Sequence, residues 1–403
     1  MLPRSLTGRA SPVAHRATGQ RGLTAPPAFP RGWFAVGFSA RLRPGRLQPL
    51  TFMGTEAVLY RTASGRVCLA EAYCPHLGAH IGLGGAVRGE LIHCPFHGLG
   101  FAADGQCVAS PDGRPPRTAR LRTFETCEVD GVIVAYYDPG GLPAPWRIES
   151  RAPGVRWPAP TTRTWRFRGH PQEVSENSVD LAHLSELHRF GEVRVLEPVN
   201  TDGPRLGARY AMRRRFLFTR GLSSEFSVRV EGLGFSVVEL SIPSLGWEVH
   251  QLVLPTSVDE TDVELRLSVT LRRAEGARGW RRMLGVRPVT VLAQRFVASV
   301  VAAEINRDIP IWQHKRYLDR PALGPGEGSI GRYRKWTRQF YSPPDQVPAA
   351  NSEPATQVPA ADSEPATQVP AANSEPARQV PAANSEPATL EATATATLEA
   401  KTF

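Results

Sequence analysis

Two short loops constrain this chain more than any other feature. One reads Cys74-Pro-His76-Leu-Gly-Ala-His80 and the other His93-Cys94-Pro-Phe-His97-Gly98, with seventeen residues between His76 and Cys94. Each loop pairs a thiol with an imidazole, so the set asks both loops to close on one centre. Such a 2 + 2 set suits either zinc or an iron–sulfur cluster. In a C-x-H pair only one residue separates the two donors. A two-iron cluster can place both cysteines on one iron and both histidines on the other, one ligand from each loop. Pro75 and Pro95 stiffen the loops, while Gly78, Gly82, Gly84, Gly85 and Gly98 let backbone N–H groups approach sulfur. His80 and His93 fall outside the ligand positions and read as structural, and Cys68, Cys107 and Cys127 read as buried thiols. Five cysteines, an odd count, fit a reducing compartment better than a disulfide scaffold.

The texture around the loops is β-like. Short runs at Trp33–Gly37, Leu50–Met53, Ala57–Tyr60, Val67–Ala70, Leu91–Cys94 and Val132–Tyr137, broken by Gly and Pro, predict a small all-β domain over 27–150. The stretch Pro139–Pro160 marks its boundary. Longer alternating stretches follow at Tyr210–Phe218, Ser224–Val230, Ser236–Ile242, Glu248–Pro255 and Asp262–Leu271. They predict an antiparallel sheet with one buried face inside a second domain, 151–345. Helical segments are expected over Glu173–His188 and Val289–Asn306, the latter with Val291, Leu292, Phe296, Val300 and Ile305 as its apolar stripe.

Both ends differ in kind. Residues 1–26 hold no acid and are rich in Arg, Ser and Thr, which predicts a disordered extension and also fits an organelle transit peptide. Residues 346–403 contain an eleven-residue unit, QVPAANSEPAT, repeated four times with small changes. Two prolines and one larger apolar side chain per unit cannot offset the ordering entropy, so an extended tail without a part in chemistry is expected. No uninterrupted apolar run approaches the roughly 20 residues of a membrane span, so at most peripheral membrane contact is expected. The net charge of +10 is uneven along the chain, and its basic residues are not interleaved with aromatics in short blocks, which disfavours nucleic acid. A modest positive field suits docking of an acidic protein partner.

A second constellation begins at Glu176-Asn-Ser-Val-Asp180-Leu-Ala-His183-Leu-Ser-Glu-Leu-His188. Asp180 and His183 share a helical face. The five-residue step from His183 to His188 needs a local irregularity or a helix end to bring both rings to one metal. Two imidazoles with one carboxylate, leaving open positions opposite, is how non-haem Fe(II) oxygenases hold iron. The carboxylate has two candidates in Glu304-Ile-Asn-Arg-Asp308-Ile-Pro-Ile-Trp312. Asp308 is preferred, and Glu304, one turn back, is the alternative.

The first loop pair resembles the Rieske 2Fe-2S domain, and the two constellations together resemble the Rieske non-haem iron oxygenases. Within that family the C-P-H-L-G-A-H-I-G-L-G-G loop and the I-W-Q-H-K-R-Y stretch are similar to the cholesterol 7-desaturases, and more distantly to 3-ketosteroid 9α-hydroxylases. The resemblance covers about 30–320. It implies an α+β chain: an N-terminal all-β Rieske domain, then a helix-grip-like antiparallel-sheet catalytic domain. It further implies a 2Fe-2S cluster on Cys74 and Cys94 (inner iron) and His76 and His97 (outer iron), with mononuclear Fe(II) on His183, His188 and Asp308. Asp180 is implied as the electron bridge, hydrogen-bonded to His183 and to a cluster histidine of a neighbouring subunit in a homotrimer, with Asn177 lining the same junction. Leu99 stands where many members carry Trp.

The implied reaction is O2-dependent hydroxylation or desaturation of a sterol-like apolar substrate in the cytoplasm. The chain has neither a dinucleotide fingerprint nor a second cysteine set for a plant-type cluster. Electrons from NAD(P)H are therefore expected through a separate ferredoxin or flavin reductase. Phe226, Phe235, Val237, Leu240 and Leu252 are candidates for the pocket wall. A Rieske oxygenase of an aromatic or other small substrate, and a redox carrier or sensor using the cluster alone, are the competing readings.

Overall fold

The computed structural model describes residues 26–150, 157–214, 221–274 and 287–341. Its N-terminal half is built from eleven short strands: β1 (Gly32–Phe38), β2 (Leu47–Phe52), β3 (Thr55–Arg61), β4 (Val67–Glu71), β5 (Ala86–Arg88), β6 (Leu91–His93), β7 (Gly100–Phe101), β8 (Cys107–Ala109), β9 (Thr123–Phe124), β10 (Thr126–Val129) and β11 (Val132–Tyr137). They form three antiparallel sheets ordered β1-β11-β10, β2-β3-β4-β9 and β5-β6-β7-β8. Local turn chemistry sets the registers. Phe52 pairs with Thr55 across Met53-Gly54, and Val129 with Val132 across Asp130-Gly131. Both central residues of each turn have positive φ, the two-residue geometry that matches strand twist.

The second half is one seven-stranded sheet: β12 (Thr161–Arg168), β13 (Gly191–Asp202), β14 (Arg205–Arg214), β15 (Leu222–Glu231), β16 (Phe235–Ile242), β17 (Trp247–Ser257) and β18 (Asp262–Arg273). Its order is β12-β18-β17-β16-β15-β14-β13. The last six strands are a meander, and β12 closes against β18. The chain therefore passes from one edge of the sheet to the other through two short helices, α1 (Pro171–Glu176) and α2 (Leu181–Glu186). After β18 come α3 (Arg287–His314) and α4 (Gly328–Thr337).

Strand alternation gives this sheet two jobs. Phe235 and Val237 of β16, with Leu252 and Leu254 of β17, pack on Trp33, Ala35 and Val134 of the N-terminal half. At a bulge in β1, the Ala35 carbonyl accepts hydrogen bonds from Thr256 Oγ1 at 2.8 Å and Arg266 Nη1 at 2.7 Å. On the other face α3 covers the odd-numbered residues Val263–Leu271 of β18, using Ala293, Ala298, Ile305 and Trp312. A further core joins both halves through α4, whose Tyr333 and Trp336 pack with Phe34, Phe52 and Val230.

The expected α+β architecture, an all-β N-terminal region followed by an antiparallel sheet with helices, is present. Four details differ. The single helix over Glu173–His188 is two helices, because Asp180 adopts an extended backbone (φ −88°, ψ 95°) and restarts the turn as an N-cap. The second long helix does not stop at Asn306 but runs to His314 through Pro310, whose ring is exposed while Trp312 stacks on Phe167 at 5.5 Å. Its buried face combines Ala293, Ala298 and Ala302 with Ile305 and Trp312; of the expected stripe Ile305 is buried, whereas Leu292 and Phe296 are 70% and 62% exposed. That helix is also long and apolar enough by composition to cross a bilayer, although Gln294, Arg295 and Ser299 break its apolar run. Its buried face on the sheet gives it a place in the domain core. Of the expected strand Tyr210–Phe218, the last four residues lie outside the described residues, as do 1–25 and 342–403.

Candidate metal centres and substrate pocket

The two Cys/His loops are built alike. In each, the cysteine N–H donates to the carbonyl five residues on, Cys74 to Ala79 at 2.9 Å and Cys94 to Leu99 at 2.9 Å. The cysteine carbonyl then accepts from the glycine four residues on, Gly78 at 2.9 Å and Gly98 at 3.1 Å. Both glycines have positive φ (74° and 68°), which a side chain would resist. The result points both thiols inward and both imidazoles outward. Cys74 and Cys94 are buried, His76 and His97 are exposed, and the two rings lie 4.9 Å apart. Burial pushes the Cys74 thiol up to about 11, against the pull of hydrogen bonds from the His76 and Leu77 backbone. A buried thiol pair with N–H groups aimed at sulfur suits a centre whose positive charge replaces the protons. His93 Nδ1 lies 3.2 Å from the Gly98 carbonyl, and His80 stacks edge-on against Tyr73, so both extra histidines serve the loops.

Three side chains from distant segments meet at the second site. The ligand atoms of His183, His188 and Asp308 lie within 4.8 Å of one another. The five-residue step between the histidines closes because the end of α2 widens. Leu187 N–H reaches the His183 carbonyl at 2.8 Å, His188 N–H reaches the same carbonyl at 3.3 Å, and Phe190 N–H reaches that of Leu184 at 3.0 Å. One extra residue is thereby absorbed in a single turn, the irregularity that the spacing demanded. Arg189 then takes a left-handed backbone (φ 59°) to turn the chain into β13.

Each imidazole is fixed through Nδ1. That of His183 donates to the Asp180 carbonyl at 2.6 Å, and that of His188 donates to Glu304 Oε2 at 2.7 Å. This leaves Nε2 of both rings for the centre, and His188 Nε2 stands 3.3 Å from Asp308 Oδ1. Glu304 is itself held by Arg307 at 2.9 Å. Burial lowers the His183 pKa and favours the neutral, ligating ring. Burial acts the same way on His188, but Asp308 and Glu304 outweigh it and the net shift is upward. Two neutral-capable imidazoles and a buried carboxylate on one side, open on the other, fit a first-row divalent metal of the oxygenase kind.

The open side is a cavity of about 350 Å³ bounded by α3 and the inner face of the sheet. Its wall is mainly apolar, with Phe226, Val238, Leu240, Val300 and Trp312 among the contributors. Of the five expected wall residues, Phe226 and Leu240 are there. Phe235, Val237 and Leu252 are not, since alternation turns them toward the N-terminal half. Asn177 lines the cavity. Asp180 caps α2, its carboxylate accepting from the His183 N–H at 3.1 Å while its carbonyl, not its carboxylate, takes the His183 ring proton. The partnership of Glu304 with His188 was only half legible. Glu304 and Asp308 are four apart on one helix and so share a face, which signals two carboxylates at one site but not which one faces the metal.

Buried thiols under exposed imidazoles, and a separate His–His–Asp cluster opening into an apolar cavity, define a two-centre redox protein. Residues 32–125 match the Rieske [2Fe-2S] domain, and residues 135–341, half of the chain, match the 3-ketosteroid 9α-hydroxylase C-terminal domain. The chain therefore belongs to the Rieske oxygenases of that family: it is an oxidoreductase of the class that uses a 2Fe-2S cluster and a mononuclear iron, with O2 and NAD(P)H entering by the reaction class. As an oxygenase component it is served by a separate reductase or ferredoxin. It is 28% identical to the cholesterol 7-desaturase of Xenopus laevis, over 79% of this chain and 73% of that one. It is 26% identical to the 3-ketosteroid-9-alpha-monooxygenase oxygenase component of Rhodococcus rhodochrous, over 79% and 82%. The fold is shared with dicamba monooxygenase bound to dicamba (TM-score 0.55, 19% identity, 79% and 98% covered). It is also shared with Pseudomonas putida CBB5 NdmA with caffeine (TM-score 0.58, 17% identity, 76% and 89% covered).

Proposed function

We propose that this chain oxidises a bulky, largely hydrocarbon substrate of the sterol class, with Cys74, His76, Cys94 and His97 holding the cluster and His183, His188 and Asp308 holding the iron. The observation that carries this reading is the opening of the His–His–Asp cluster into an apolar cavity. When bound, the two centres supply O2 activation and the single electrons it needs. The residues do the rest. Asp180 and Glu304 hold the two imidazoles in one tautomer and orientation. Val238, Leu240, Val300 and Trp312 exclude water and press one C–H bond of the skeleton toward the triad. A hydrocarbon skeleton fits such a wall because its transfer from water is favourable by about 25 cal/mol per Å² buried.

The exposed imidazoles His76 and His97 sit among exposed Leu77, Leu83 and Phe96. We assign this apolar rim to contact with a neighbouring copy, in a homotrimer where Asp180 bridges the cluster of one subunit to the iron of the next. All five cysteines are unpaired, which suits a reducing cytoplasmic setting.

The test is product analysis by mass spectrometry after purified protein, a matched reductase, NAD(P)H and O2 are given a panel of sterols and ketosteroids. A hydroxylated or desaturated sterol supports the reading. Turnover of aromatic or purine substrates alone overturns it, and reduction of the cluster without any product would favour a carrier.

A further inference from the structure

Among the uncharged polar side chains of the cavity wall, two are buried. Ser236 of β16 and Gln251 of β17 both line it. Ser236 faces Val253 across the ladder, and Gln251 lies two residues from Val253 on the same strand. The period-two alternation of the strands puts both on the face that bears Val238 and Leu240. They are therefore diagonal neighbours on that face, within mutual reach of one ligand group. Both are buried, 2% and 8% exposed. The Ser236 hydroxyl has no hydrogen-bond partner. The Gln251 carboxamide also lines the cavity and is not among the sealed groups that lack a partner. Asn177, Ser178 and Ser224 of the wall are only half-buried and can be solvated, while the indole N–H of Trp247, also in the wall, is a further buried donor without a partner.

An unpaired hydroxyl in an apolar wall is costly in the free protein, because a buried polar group without a partner forfeits its hydration. A ligand oxygen would repay that cost. We infer that Gln251 and Ser236 form a polar subsite that reads one hydroxyl or carbonyl oxygen on an otherwise hydrocarbon substrate, setting which carbon faces the iron. Gln251 offers both a carbonyl acceptor and an NH2 donor, and Ser236 a hydroxyl that does either. Together they take an alcohol or a ketone and reject the bare hydrocarbon. These are specificity-determining residues, and the inference rests on the oxygenase reading of the cavity.

The test is calorimetric binding to the full-length, metal-loaded protein under nitrogen, without reductase, so that no turnover intervenes. The ligands are two matched pairs: 5α-cholestan-3β-ol with 5α-cholestane, and cyclododecanol with cyclododecane. The alcohol should bind about 10–100-fold more tightly than its hydrocarbon. Gln251→Leu should bring the two within about threefold by weakening the alcohol, and Ser236→Ala should remove part of the preference. Gln251→Met, unbranched like glutamine, serves if the leucine variant does not fold. Because Ser236→Ala deletes an unpartnered buried hydroxyl, its melting temperature should hold or rise, whereas loss of a structural hydrogen bond would lower it. A preference seen only with the ring pair, and lost in Gln251→Leu, keeps the subsite and sinks the sterol reading. Equal binding of alcohol and hydrocarbon by the wild type, a preference that survives Gln251→Leu, or no binding of either pair overturns the inference.

Discussion

Glu304 is the residue through which the site is most easily disturbed without touching a ligand. Its carboxylate fixes His188, and Arg307 fixes it in turn. Glu304→Ala should lower affinity for the mononuclear iron about 10–100-fold, while Glu304→Gln, which keeps an acceptor, should lose less. Iron per chain after dialysis against a chelator decides this, and an alanine variant that keeps its metal would contradict it. The cluster loops were legible residue by residue, because Cys74, His76, Cys94 and His97 lie in two local turns whose Pro and Gly positions specify the geometry. Asp308 was harder. It is 120 positions from His188, and only the tertiary path of α3 shows that it, rather than Glu304, faces the shared centre.

At the scale of elements, α2 carries His183, and α1, buried along its whole length, leads the chain into it. Arg334 of α4 grips Glu176 through two hydrogen bonds of 2.6 and 3.0 Å, and Glu176 is 7% exposed. Arg334→Ala should destabilise the fold by about 3–5 kcal/mol in denaturant titration, since it strips the partner from a buried charge. A loss below 1 kcal/mol would show that Lys315, 3.6 Å from Glu176, suffices alone. His170 caps α1. Its Nδ1 accepts from Gln172 N–H at 3.1 Å, so Nε2 carries the proton toward the Pro27 carbonyl at 3.1 Å. Burial lowers its pKa to about 4, below the ordinary 6.5. Between those values the unfolded chain binds more protons, so this contribution is complete above about pH 6.5 and is lost as pH falls toward 4. The ring is half-buried, which limits the loss to on the order of 1–2 kcal/mol. His170→Asn, still a cap, should flatten that part of the stability curve, and an unchanged pH dependence would refute the assignment. The central strands were legible from alternation alone. The edges β12 and β13 were not: β12 is polar, and β13 carries charges, Pro198 and three register shifts, so neither shows a buried face in its sequence.

Across the whole molecule, two halves share a core, so cluster and iron domains fold as partners rather than beads. Phe34 and Phe52 from one pack with Val230 and Tyr210 from the other. The repeats of 346–403 lie outside the described residues, and their composition gives them no core to join. A chain ending at Asp345 should keep its melting temperature, cluster absorbance and turnover, and a loss of any of these would give the tail a role. The central claim is that one chain holds a sulfide-bridged iron pair and, apart from it, a single iron on His183, His188 and Asp308. The most direct measurement is iron and acid-labile sulfide analysis, with EPR of the reduced cluster, on wild type and Asp308→Ala. The account predicts about three irons and two sulfides per chain in the wild type, and about two of each in the variant with an unchanged cluster signal. A variant that keeps its third iron, or a wild type that carries zinc and no sulfide, would contradict it.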